Sequence, residues 1–92
     1  MSEFYEERRS GIYQHYKGGR YYLVGIFDHH ETGAPHAAYF PLEGPHAGHM
    51  SLREFYGSAE KGIDGWRDMI EMPDGSRRLR FILESPVHSE RQ

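Results

Sequence analysis

The chain has 92 residues and a mass of 10.7 kDa, enough for one domain, and its net charge of −3, with 27% charged and 37% hydrophobic residues, is that of an ordinary globular protein. It contains no apolar run near the roughly 20 residues of a membrane span, its start MSEFYEERRSG is too charged for a signal peptide, and without cysteine it forms neither a disulfide framework nor a thiolate metal site. These features lead to the expectation of a cytoplasmic domain, and a pI of about 6.1 argues against a dedicated DNA binder.

In chain order, residues 1–9 are charged, lack apolar periodicity and read as an N-terminal extension. Residues 11–17 (GIYQHYK) alternate β-favouring side chains and meet Gly18-Gly19, a strand followed by a tight turn. Residues 20–28 (RYYLVGIFD) form the most apolar run; β-branched and aromatic residues over a short length favour a strand, with Gly25 marking a bulge. Loop chemistry follows in HHETGAP, then a third strand over 36–42, with Pro41 at its edge. Residues 43–50 form a loop. Residues 51–56 (SLREFY) read as one helical turn, with Ser51 as cap and Glu54 three residues on. Pro73-Asp74-Gly75-Ser76 joins two β-like runs, 66–72 and 77–84, in a hairpin. In the last run Leu79, Phe81 and Leu83 share one face, and Arg78, Arg80 and Glu84 the other. Residues 85–92 read as a tail.

The sum is an all-β domain over residues 10–84: about five short antiparallel strands, at most one helical turn, and no helix long enough to cover a flat sheet. A small SH3-like barrel or roll satisfies this pattern, because closure removes the exposed strand edges that an isolated sheet must manage.

The block GIYQHYKGGRYYLVGI, with Tyr13, His15, Tyr16, Lys17, Gly18 and Tyr21, resembles the opening signature of domain-of-unknown-function family 1653, a bacterial family with an SH3-like roll. The similarity continues through Glu31-Thr32-Gly33, Tyr39 and Pro41-Leu42, then Leu52, Phe55 and Arg80-Phe81. The family usually carries an Arg-Pro pair just before the Leu-x-x-Phe segment, where this chain has Met50-Ser51. The resemblance implies the fold and assigns no activity.

Several constellations bear on chemistry. Tyr13, His15 and Lys17 alternate along one strand and share a face, with Arg20 directly after the turn. A ring, an imidazole and two cations at one hairpin can grip an anionic or aromatic ligand by stacking and charge-assisted hydrogen bonds. The same residues also suit plain core packing and turn formation. Tyr39 and Trp66 are the further aromatics expected at a ligand surface; Phe27, Phe55 and Phe81 are expected in the core.

His29, His30, His36, His46 and His49, with Asp28 and Glu31, offer metal-ligand chemistry, but no His-Glu-x-x-His pattern joins them, and they read as solvated loop residues. No serine lies in a Gly-x-Ser-x-Gly elbow and no residue is assigned a catalytic role. Arg77, Arg78 and Arg80 beside Phe81 form a basic strand of the kind that stacks single-stranded nucleic acid, against the opposing sign of the net charge.

The leading expectation is therefore a binding module without enzymatic chemistry. Tyr13, His15, Lys17, Arg20, Tyr39 and Trp66 would meet a small anionic or aromatic ligand, or a short peptide, with no metal or cofactor assigned. The rival expectations are a metal-dependent enzyme built on the loop histidines, RNA or single-stranded DNA binding through Arg77–Arg80, and a homodimer formed through strand edges and loop aromatics.

Overall fold

The computed structural model describes residues 9–86. The expected terminal segments fall almost wholly outside this range. Seven strands are formed: β1 (Gly11–His15), β2 (Arg20–Asp28), β3 (Pro35–Pro41), β4 (Ser51–Glu54), β5 (Met69–Glu71), β6 (Arg77–Leu79) and β7 (Phe81–Pro86). The described residues contain no helix. Five strands make one antiparallel sheet in the order β4-β3-β2-β1-β7, and β5 and β6 make a separate hairpin. The expected antiparallel all-β domain is present.

The turn between β1 and β2 forms where the glycines require it. Gly18 and Gly19 have φ of 99° and 92°, a region L side chains seldom enter. The His15 amide donates to the Gly19 carbonyl at 3.0 Å, and the Gly18 amide to the His15 carbonyl at 2.8 Å. On β2 the pairing with β3 shifts between Leu23 and Gly25, the irregularity that Gly25 suggests.

The sheet is an open roll rather than a closed barrel: β4 and β7 stand at opposite edges and do not pair. The physical reason lies on the outer side of β4. There the Trp66 amide donates to the Glu54 carbonyl (2.9 Å) and the Arg67 amide to the Phe55 carbonyl (3.2 Å). An irregular segment thus engages the edge that β7 would otherwise need.

Two local expectations are corrected. Residues 51–54 form a strand, not a helical turn, because all four pair with β3, from Tyr39↔Ser51 to His36↔Glu54. A helix this short has little intrinsic stability, so the ladder outweighs the Ser-x-x-Glu capping signal. The run 77–84 is also two strands. β6 pairs with β5 and β7 with β1, and the break falls at Arg80, whose amide donates to the Asp68 carbonyl (2.8 Å) while its carbonyl accepts from the Tyr16 amide (3.0 Å).

The core lies on one face of the sheet. Tyr13, Leu23, Ala37, Tyr39, Phe55, Trp66 and Phe81 are buried together, with Tyr21, Ile26 and Leu83 packed against them. Each fully buried large side chain contributes about 1.5–3 kcal/mol of hydrophobic stabilisation. The core of this small domain is therefore chiefly aromatic.

Candidate functional site

The core face of β1 and β2 carries the aromatic floor of the site. Tyr13 and His15 alternate on β1 and pair across to Leu83 and Phe81 of β7; Tyr21 of β2 pairs with Tyr13. This places His15 edge-on to Phe81 (4.9 Å between centroids) and beside Tyr16 (4.7 Å) and Tyr21 (6.0 Å). Tyr21 in turn meets Tyr39 (5.8 Å) and Phe81 (5.5 Å). Trp66 closes the floor, stacked on Phe81 and edge-on to Tyr13 at 5.2 Å.

Two arginines rise over this floor. Arg53, on β4, lies with its guanidinium carbon 5.7 Å from the Phe81 ring centroid. Its Nε donates to the Tyr39 hydroxyl (3.3 Å) and its Nη1 to the Asp64 carbonyl (3.4 Å). It forms no ion pair among the described residues, and its Nη2 has no partner there. Arg80 is held more firmly. Its Nε donates to the Gly65 carbonyl (3.0 Å), its Nη2 reaches the Asp68 carboxylate (3.4 Å), and its side chain is only 12% exposed. A looser contact at 3.8 Å joins it to Asp64, whose carboxylate is 74% exposed.

His15 reports on this electrostatic setting. Partial burial first, then the positive charges of Arg80, Arg53 and Lys17, push its pKa below the ordinary 6.5. Its Nδ1 accepts the Lys17 amide proton at 3.2 Å, so the neutral ring carries its proton on Nε2 and presents a donor there.

The residues expected from the sequence are sorted by this geometry. Tyr13, His15, Tyr39 and Trp66 come together on one face, but Tyr13, Tyr39 and Trp66 are buried as floor rather than displayed as surface. Lys17 is exposed on the turn, its ammonium 5.8 Å from the Tyr16 ring centroid. Arg20 pairs with Gln14 in the ladder, which puts it on the opposite face of the sheet, in an exposed ion pair with Glu84 at 3.3 Å. Sequence reasoning missed Arg53. Its signal is that it stands two residues before Phe55 and opposite Ala37, a charge on the core-facing side of a strand. In the sequence Arg80 stood in a basic strand and in the family resemblance; it is turned inward and committed to Gly65 and Asp68, so it leaves that strand interrupted beside the exposed Arg77 and Arg78.

Beyond Arg80 the surface continues into a groove of about 500 Å³ lined by Ser58, Ile63, Asp64, Met69, Arg77 and Arg80. Gly57 lines this groove, and the backbone of Gly65 packs closely against it. A Cβ on Gly65 would collide with the Gly57 amide nitrogen, and one on Gly57 with the Asp68 carboxylate.

Four of the five histidines weighed as metal ligands form two separate pairs. The His29 and His36 rings are 5.1 Å apart, and those of His46 and His49 5.9 Å. His29 Nδ1 accepts the Glu31 and Thr32 amide protons at 3.1 and 3.3 Å, so it braces its own loop. Among the described residues no three His, Cys, Asp or Glu side chains are placed to hold one metal ion.

The fold and site thus define a small all-β roll with an open antiparallel sheet and a cationic, aromatic-floored surface. The sequence pattern of the family described as a protein of unknown function, DUF1653, matches residues 11–60, more than half of the chain, and the chain belongs to that family. It is also similar to the crystal structure of a DUF1653 protein from Bordetella bronchiseptica, with 26% identity and a TM-score of 0.67 over 92% of this chain and 97% of that one. A comparison with curated proteins finds no match.

Proposed function

We propose that the domain is a binding module for a small anionic ligand that carries a flat ring or other apolar part. The observation that carries this reading is Arg53. A half-buried guanidinium lies over the Phe81 ring with no counter-ion among the described residues, near a second arginine and a histidine that offers an Nε2 proton. A partly desolvated arginine without an acid partner favours an incoming carboxylate or phosphate, which can take paired charge-assisted hydrogen bonds. Tyr21 and the edge of His15 supply a ring surface for the rest of the ligand. The groove beyond Arg80 gives a longer ligand, such as a short acidic peptide, room to extend.

The test is a titration by calorimetry and thermal shift with inorganic phosphate, benzoate and nucleoside monophosphates, on the native chain and on Arg53→Ala. Native protein is expected to bind at least one aromatic anion more tightly than inorganic phosphate. Arg53→Ala is expected to weaken that binding at least about tenfold, as loss of a charge-assisted pair implies. Equal binding by both chains, or none by the native one, refutes the reading.

A further inference from the structure

Taking the site as a binding module for a ringed anion, we propose that the acid group it receives is a carboxylate with a single negative charge, held end-on by Arg53, and not a phosphate. The geometry of Arg53 defines the opening. A guanidinium carries five N–H groups in a fixed fork. Nε is spent on the Tyr39 hydroxyl at 3.3 Å, and one Nη1 hydrogen on the Asp64 carbonyl at 3.4 Å. The side of the fork that runs along Nε is therefore closed. The hydrogens that remain lie on Nη1 and Nη2, at the end of the group, and they match the two oxygens of one planar carboxylate. Tyr39 is 7% exposed and fixed in the core, so this orientation is set before a ligand arrives.

Charge sets the second limit. Three cations act on His15: Arg80, Arg53 and Lys17. Arg80 is matched by Asp68 at 3.4 Å and, more loosely, by Asp64 at 3.8 Å. Lys17 stands on the exposed turn, where water and salt screen it. Arg53 is left, half-buried and with no acid partner among the described residues. It balances one negative charge. A phosphate monoester carries about −1.5 to −2 near neutral pH on three acceptor oxygens, more than this one cation offsets. The surplus would also meet Asp64, whose carbonyl holds Nη1 and whose carboxylate is 74% exposed.

His15 adds a donor without adding a charge. Its Nδ1 accepts the Lys17 amide proton, so the neutral ring offers an Nε2 proton, and it lies edge-on to the same Phe81 ring that Arg53 overlies. Tyr21, 5.5 Å from Phe81 between centroids, supplies the contact for the aromatic part of the ligand. The ligand class is thus an aryl carboxylate.

Calorimetric titration of the full chain with benzoate, phenyl phosphate and benzamide, at about pH 7.5 where the phosphate is a dianion, tests the proposal on the native chain, Arg53→Ala and Asp64→Asn. The native chain is expected to bind benzoate at least about tenfold more tightly than phenyl phosphate or benzamide. Arg53→Ala is expected to remove the advantage of benzoate over benzamide. Asp64→Asn keeps the backbone carbonyl and removes an exposed charge, and is expected to improve phenyl phosphate binding about threefold relative to benzoate. Phenyl phosphate bound as tightly as benzoate or more tightly, with dependence on Arg53, overturns the carboxylate assignment and leaves the binding-module reading standing. A ratio of the two anions that Asp64→Asn leaves unchanged overturns the charge limit in the same way. Failure of both anions to bind the native chain refutes the broader reading, and the carboxylate assignment with it.

Discussion

Trp66 and Phe81 stack face to face, their ring centroids 3.8 Å apart and their planes within 6° of parallel. Trp66 belongs to the irregular segment along the outer side of β4, and Phe81 is the first residue of β7. The pair therefore joins the two ends of an open sheet that no strand ladder connects, and it carries both the core and the floor under Arg53.

Truncating either ring removes that link. Trp66→Ala and Phe81→Ala are each expected to cost about 3–5 kcal/mol of stability, the range for deleting a fully buried aromatic. Urea denaturation followed by circular dichroism measures it. A loss below 1 kcal/mol in both would show that the stack does not hold the roll together.

Arg80 fastens the same segment by polar contacts. Arg80→Ala removes the side-chain donor to the Gly65 carbonyl and the cation beside the Asp68 carboxylate, which keeps only the Gly65 amide, and is expected to cost about 1.5–3 kcal/mol. Arg80→Lys should recover little of this, because one ammonium cannot reproduce the fork that reaches both acceptors. Equal stability of the lysine variant and the native chain in the same denaturation experiment would contradict this assignment.

Gly65 admits no side chain. A Cβ there runs into the Gly57 amide nitrogen and the Tyr56 carbonyl carbon, both backbone atoms with no room to yield. Gly65→Ala is expected to lower stability by roughly 2–3 kcal/mol through overpacking, while Gly62→Ala, whose Cβ meets nothing within 4 Å, suffers only the strain of its φ of 70°, about 1–2 kcal/mol. Comparison of the two melting temperatures decides whether the close approach is real.

His15 couples stability to pH. Burial and the nearby arginines favour its neutral form in the folded chain, so its folded pKa lies below the ordinary 6.5. As pH falls, the unfolded chain takes up this proton first. The contribution of His15 is then fully present above about pH 6.5 and declines below it, until the folded imidazole also titrates. His15→Gln should flatten this part of the stability curve relative to the native chain. An imidazole titration by NMR is expected to give a midpoint below 6.5 for His15, and a midpoint above that value would reverse the prediction.

Local sequence chemistry sufficed for much of this architecture. Period-2 alternation and β-branched content marked β1, β2, β3 and the face shared by Phe81 and Leu83; Gly18-Gly19 and Pro73-Asp74-Gly75 marked the turns, since both signals act over a few neighbouring residues. The alternation of Tyr13 and His15 also placed both on one face in advance. Residues 51–54 escaped such a reading because their strand exists only through pairing with β3, against a local capping signal. Arg80 escaped it because its neighbours on either side join different sheets, which no spacing within the run 77–84 records. Arg53 over Phe81, Trp66 as floor rather than surface, and Arg20 on the far face likewise follow from contacts between residues far apart in the chain. Alternation tells which residues share a face; only the packed sheet decides which face is core, which cation is paired, and which has no ion pair among the described residues.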